Sequence, residues 1–233
     1  MSGKLVLLEG LDGSGKTTQT ALLARALRGR GVPLRRVKFP RYGEPYSEPV
    51  RMYLDGEFGR DPGDVNAYAA STFFAVDRYA SFRREWGEDY RNGVLILADR
   101  YATSNVIYQM PKLPRAEWDG FVAWLEDFEY GKLGIPKPDL TVYLDMPAPA
   151  SERLIEKRCL AGGRRDIHES SSAYLAACRR SAAYAVRRFG WKTVACAENG
   201  APRPAEQVHA EILRIVLREL CAGGGASRAG LTR

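Results

Sequence analysis

The segment Gly10-Leu-Asp-Gly-Ser-Gly-Lys-Thr17 constrains this chain more than any other stretch of it. It matches the phosphate-loop pattern Gly-x-x-x-x-Gly-Lys-Thr in full. An apolar run, Lys4–Leu8, precedes it, and a helical pattern follows. In that pattern Leu22, Leu23, Ala26 and Leu27 recur at three- and four-residue spacing until Gly29 and Gly31 stop it. Strand, glycine-rich turn and helix in this order form an anion cradle. The glycines let backbone N–H groups turn inward around phosphate oxygens, and the helix presents its positive end to the same anion. Lys16 supplies a mobile charge for the β- and γ-phosphates, and the Thr17 hydroxyl is placed to ligate Mg²⁺. The chain has no Asn-Lys pair, so the Asn-Lys-x-Asp motif that reads guanine in a GTPase is absent.

The remainder of the chain repeats this alternation. Leu34–Phe39, Val94–Ala98, Leu140–Leu144 and Lys192–Cys196 read as further strands. Helical spacing marks Pro49–Leu54, Asn66–Trp86, Trp118–Phe128, Ser151–Cys159, Ser172–Phe189 and Glu206–Leu220. The strands are apolar runs rather than alternating ones, which predicts a parallel sheet covered on both faces. The expected fold is therefore α/β, a five-stranded parallel sheet flanked by helices, in a single domain over residues 1–221. The break Ala161-Gly-Gly-Arg-Arg165 predicts a flexible lid at about 159–170, and the Gly/Ala/Ser/Arg-rich tail 222–233 is expected to be disordered. The longest apolar runs fall far short of the ~20 residues of a membrane-spanning helix, and no leader-like segment precedes the first strand. Membrane association is not expected. Four cysteines without a CxxC pair, and only two histidines, argue against structural zinc and fit a reducing compartment, so the expected location is cytoplasmic.

Charge enters through its distribution. The net charge is +7, and between Arg153 and Arg188 nine Lys/Arg face three acidic residues. Such a run reads either as a solvated helical face or as a site for a polyanion. No aromatic residues interleave with it in the manner of a nucleic-acid surface, so nucleic acid is not an expected partner. Two strands end in aspartate, Asp99 and Asp145, and either suits the acidic partner of Mg²⁺, because ligands gather at the carboxyl ends of parallel strands. Asp99 is preferred because Arg100 follows it directly, whereas Asp145 stands before Pro147 as a turn residue would. Phe74 and Arg78, four residues apart, share one helix face. A ring that stacks and a guanidinium that donates to a carbonyl edge can hold a planar base, although the same spacing also suits a core aromatic.

Several blocks in order resemble the thymidylate kinase family: the loop Glu9-Gly-Leu-Asp-Gly-Ser-Gly-Lys16, Phe39-Pro40-Arg41-Tyr42, Phe74-Ala-Val-Asp-Arg78, Asp99-Arg-Tyr-Ala-Thr-Ser-Asn105 with Tyr108, and Leu133-Gly-Ile-Pro-Lys-Pro-Asp139. The resemblance covers about residues 4–215, and the Asp-Arg-Tyr block is its most specific part. It implies the nucleoside-monophosphate-kinase type of sheet with a lid, a homodimer, and transfer of the γ-phosphoryl group of ATP to dTMP with Mg²⁺. The implied ATP loop is Gly10, Asp12, Gly13, Ser14, Gly15, Lys16, Thr17 and Thr18. Metal ligation falls to Thr17 and Asp99. The implied dTMP set is Asp12, Phe39, Pro40, Arg41, Phe74, Arg78, Arg100, Ser104, Asn105 and Tyr108, with Arg41 and Arg100 on the acceptor phosphate. Phe74 is to stack on thymine, Arg78 to donate to its O4, Ser104 and Asn105 to face the base edge, and Tyr108 to crowd the 2′ position. The resemblance also implies a catalytic arginine in either loop or lid. This loop has Gly13-Ser14 and no arginine, so the lid must supply it. Arg153, Arg158, Arg164 and Arg165 all qualify, and the expected catalytic set is Lys16, Asp12, Arg100, Arg164 and Arg165. His168 stands where some relatives carry tyrosine, and no catalytic role is assigned to it.

Two rival readings have distinct signatures. A deoxynucleoside kinase also carries an acidic-Arg pair after its third strand, but it takes an acceptor without phosphate. A nucleotide-driven switch needs no acceptor pocket, whereas Phe74, Arg78, Asn105 and Tyr108 occur here together.

Overall fold

The computed structural model describes residues 2–162 and 165–222. Five strands, β1 (Leu5–Glu9), β2 (Leu34–Lys38), β3 (Leu95–Asp99), β4 (Leu140–Asp145) and β5 (Lys192–Ala195), form one parallel sheet in the order β2-β3-β1-β4-β5. Every residue of β1 and β3 is buried, which is why they read as unbroken apolar runs. The edge strands β2 and β5 have one buried residue each, Val37 and Val194, and carry Arg36, Lys38 and Lys192 into solvent. Charged edges of this kind discourage pairing with another sheet.

Nine helices are seen among the described residues: α1 (Lys16–Arg28), α2 (Glu48–Leu54), α3 (Ala67–Ser81), α4 (Gly87–Arg91), α5 (Thr103–Tyr108), α6 (Trp118–Glu126), α7 (Ala148–Leu160), α8 (Ser172–Phe189) and α9 (Ala205–Ala222). On one face of the sheet Val6, Leu8, Leu97 and Val142 pack with Leu23 and Leu27 of α1 and with Val208, Ile212 and Val216 of α9. Leu5, Leu7, Ile96 and Ala98 point the other way, onto Phe82, Trp86 and Tyr101. Helix α8 keeps its expected bounds because both ends are chemically marked. The Ser171 hydroxyl accepts from the Tyr174 N–H at 3.2 Å, and Gly190 at φ 65 ends the helix in the left-handed conformation.

Three features differ from the sequence expectation. The pattern Asn66–Trp86 is not one regular helix, since α3 runs into a π-helical turn over Phe82–Trp86; α6 likewise runs into a π-helical turn over Asp127–Lys132. Helix α5 lies within the Asp-Arg-Tyr block and is too short to show a period. A small antiparallel hairpin pairs Ala197–Glu198 with Ala201–Pro202. No helix of the described residues is long and apolar enough to cross a membrane. Gly163, Arg164 and the expected tail from 223 onward lie outside the described residues.

Candidate active site

The carboxyl ends of β1, β2 and β3 open into one cavity of about 530 Å³. The loop after β1 turns around it through residues that only glycine tolerates. Gly13 sits at φ 73, and a Cβ there would come within 2.5 Å of the Ser151 carbonyl oxygen, so the loop packs directly on α7. Lys16, at the start of α1, is 7% exposed and donates to the carbonyls of Gly10 at 2.9 Å and Leu11 at 2.8 Å. Burial and the nearby Arg100 guanidinium push its ammonium down to about 8. Beside it the Thr17 hydroxyl donates to Asp99 Oδ2 at 2.9 Å. That pair of hard oxygen donors, a hydroxyl and a buried carboxylate at the mouth of the phosphate loop, fits a Mg²⁺ ion. Asp145 is exposed and does not line the cavity, whereas Asp99 does.

Arg100 is the hub of the middle of the cavity. It adopts φ 67, a left-handed backbone unusual for arginine. Its guanidinium pairs with Asp12, donates to the Tyr108 hydroxyl at 3.2 Å and lies 4.9 Å over the Tyr108 ring. The Tyr108 hydroxyl in turn donates to Asp12 Oδ2 at 2.9 Å. Burial alone would raise the Asp12 carboxyl, but Arg100 and Lys16 outweigh it and hold Asp12 well below the usual carboxylate range. Burial and the Asp12 charge push Asp166, across the cavity, up from its ordinary value. Glu9, the last residue of β1, is fully buried and fixes the turn after β3. It accepts from the Tyr101 N–H at 3.3 Å and from the Thr103 and Ser104 hydroxyls at 2.6 and 2.9 Å. The Ser104 hydroxyl is thus committed to Glu9, although Ser104 borders the cavity.

The far end of the cavity is lined by an aromatic ring, a guanidinium and an amide, the chemistry that holds a planar base. Phe74 and Arg78 reach it from α3, Asn105 and Tyr108 from α5, and Phe39 and Pro40 from the segment after β2. Tyr53 packs edge-on against Phe74 with centroids 6.1 Å apart. Arg78 is 1% exposed and held by both oxygens of Glu129, which is itself fully buried. His168 closes this end. Its ring stacks on Tyr108 at 5.3 Å, and its Nε2 lies 2.7 Å from the Tyr53 hydroxyl. Burial pushes the imidazole down to about 3, so it is neutral. Lys112 donates to the same Tyr53 hydroxyl at 2.8 Å, and burial pushes its ammonium down to about 7.

Most of the expected site residues meet in this one cavity, but not all. Arg41 turns away: its guanidinium is taken by Glu85, and its backbone N–H by Asp77, while its neighbour Tyr42 borders the cavity instead. Of the lid candidates, Arg153 donates to the Gly200 carbonyl at 2.6 Å, and Arg165 is exposed and off the cavity wall. Arg158, from the last turns of α7, borders the cavity and donates to Glu169 at 2.5 Å. Arg164 lies outside the described residues. Sequence reasoning missed Glu9 and Glu129 as site residues. Glu9 shared the signal that marked Asp99, a carboxylate at the end of an apolar strand; Glu129 had none.

The family model described as thymidylate kinase matches residues 8–212. The thymidylate kinase of Mycobacterium tuberculosis is 36% identical over 151 residues, covering 64% of this chain and 69% of that protein. That of Afipia carboxidovorans is 33% identical over 171 residues, covering 73% and 71%. A solved thymidylate kinase from Candida albicans shares the fold, with a TM-score of 0.68 over 94% of this chain and 93% of that one at 21% identity. The matched stretch runs from the end of β1 into α9 and takes in the loop, the Asp99-Arg100 turn and both walls of the cavity, and on it the chain belongs to the thymidylate kinase family.

Proposed function

We propose that this enzyme transfers the γ-phosphoryl group of ATP to the 5′-phosphate of dTMP, giving dTDP and ADP. The observation that carries the reading is the continuity of the cavity: a phosphate loop with Lys16 and Thr17 at one end, and Phe74, Arg78 and Asn105 at the other. The acceptor already bears an anionic phosphate, so no strong general base is required, and catalysis is mostly positioning and charge neutralisation. Lys16 leaves the Gly10 and Leu11 carbonyls for the β- and γ-phosphates. Arg100, held in place by Asp12 and Tyr108, meets the acceptor phosphate at the centre. Arg158 is the described lid arginine best placed to approach the transferring group. Thr17 and Asp99 would hold Mg²⁺, which would neutralise the negative charge of the donor phosphates. Closure of the lid excludes water, which would otherwise consume ATP by hydrolysis.

A coupled ADP-release assay with ATP, Mg²⁺ and a panel of dTMP, dUMP, dCMP, dGMP and thymidine tests this reading. Selective turnover with dTMP is expected. Turnover with thymidine alone would move the chain to the nucleoside kinases, and silence across the panel would leave a nucleotide switch. We further propose a homodimer. Tyr68, Val76 and Tyr79 of α3 are 38%, 46% and 39% exposed and leave an apolar stripe on one helix, of the kind a second copy covers.

A further inference from the structure

Glu129 is a carboxylate without solvent that the catalytic account does not use. It lies on the π-helical turn after α6 and receives three donors from two other elements. Arg78 of α3 gives Nε at 2.8 Å and Nη2, and Asn105 of α5 gives Nδ2 at 3.3 Å. The Asn105 Nδ2 also donates to the Ser71 carbonyl at 3.4 Å. Both partners of that amide, a carboxylate that accepts from Arg78 on both oxygens and a backbone carbonyl, are hydrogen-bond acceptors. The Asn105 side chain therefore has one permitted orientation, with its NH₂ group toward Glu129 and its Oδ1 left for the cavity it borders. Arg78 is constrained in the same way: with Nε and Nη2 committed to Glu129, Nη1 is the donor left for the cavity.

We propose that Glu129 is a positioning residue for acceptor selection, one carboxylate that orients Arg78 and Asn105 together. The cavity end then presents a donor beside an acceptor. A 4-oxo pyrimidine with a protonated N3 offers the complement, an acceptor at O4 beside a donor at N3. Cytosine offers the reverse at both positions, so it meets donor with donor and acceptor with acceptor. A buried site that is built to hydrogen-bond its ligand rejects an analogue of the wrong pattern strongly, because its own polar groups are left unpaired. Without Glu129 the amide of Asn105 keeps only its 3.4 Å contact to the Ser71 carbonyl and the guanidinium loses both of its anchors, so the two contacts no longer select as a unit.

This inference rests on the reading of dTMP as acceptor. Calorimetric affinities for dTMP and dCMP, measured on wild type, Glu129→Gln and Glu129→Asp with melting curves alongside, test it. Glu129→Asp keeps the charge opposite Arg78 but is one methylene too short to reach both partners, so it remains informative if Glu129→Gln does not fold. In the folded variants the dTMP-over-dCMP affinity ratio is expected to fall at least about tenfold. A purely structural Glu129 would lower the melting temperature and weaken both ligands by one factor; a ratio preserved within about twofold would thus overturn the inference alone. Wild-type protein that binds dTMP and dCMP equally would overturn the acceptor reading and this inference with it.

Discussion

Lys16 lies over the cradle it serves, bonded to two carbonyls of its own loop. Those contacts hold the ammonium in place, and polyphosphate oxygens are stronger partners for it. Lys16→Ala is expected to lower turnover by at least about 100-fold while leaving the fold intact, since the loop geometry comes from Gly10, Gly13 and Gly15. Wild-type-like steady-state turnover in a folded variant would remove the loop from the reaction. Arg41 and Tyr42 show where residue-level reading falls short. The two are adjacent at a turn, which the Glu44 N–H closes by donating to the Arg41 carbonyl at 3.0 Å, and sequence cannot say which one turns inward. Asp77 and Glu85 decide it by binding Arg41 on the α3 side.

Elements set the site by where they end. Glu9, Lys38 and Asp99 gather at one sheet edge because β1, β2 and β3 are parallel and in register there, with Leu8 opposite Asp99 and Asp99 opposite Lys38. The carboxylates that hold Arg41 and Arg78, Glu85 and Glu129, both lie on π-helical turns that extend α3 and α6. Such a turn shifts the helical phase, so spacing counted at 3.6 residues points these side chains the wrong way. The C-terminal part of the expected lid segment is pinned to α2. Ile167 packs with Val50, Tyr53 and Leu54, its N–H donates to the Leu54 carbonyl at 3.2 Å, and His168 meets Tyr53. The neutral imidazole makes that docking pH-dependent. Folded His168 titrates near 3 and unfolded histidine near 6.5, so between these values the unfolded chain binds a proton that the folded one refuses. Stability from this group is present above about pH 6.5 and is lost as pH falls toward 3. Urea midpoints of wild type and His168→Phe should diverge on acidification, the wild type losing more; parallel curves would rule out this linkage.

At the scale of the whole molecule, the exposed stripe of Tyr68, Val76 and Tyr79 runs along the outer side of the helix whose inner side carries Arg78. A dimer built there would stiffen α3 and with it the base end of the cavity. Sedimentation is expected to give a dimer for wild type and a monomer for Val76→Glu, because a buried unpaired carboxylate at an apolar contact is costly. A wild-type monomer would dismiss the interface. The sequence determined the sheet and the phosphate loop by itself, because a run of apolar residues buried on both faces and a glycine-rich turn between strand and helix are local signals with few alternative solutions. It also marked Asp12, Phe74, Arg78, Asp99, Arg100, Asn105 and Tyr108, whose blocks carry the family resemblance. The tertiary structure alone decided how these residues are held: Glu9 under the turn after β3, Glu129 behind Arg78 and Asn105, Tyr53 and Lys112 beside His168. These partners lie tens of residues apart, and a buried polar group takes whichever complement the packed elements bring within about 3 Å of it, which no local pattern records.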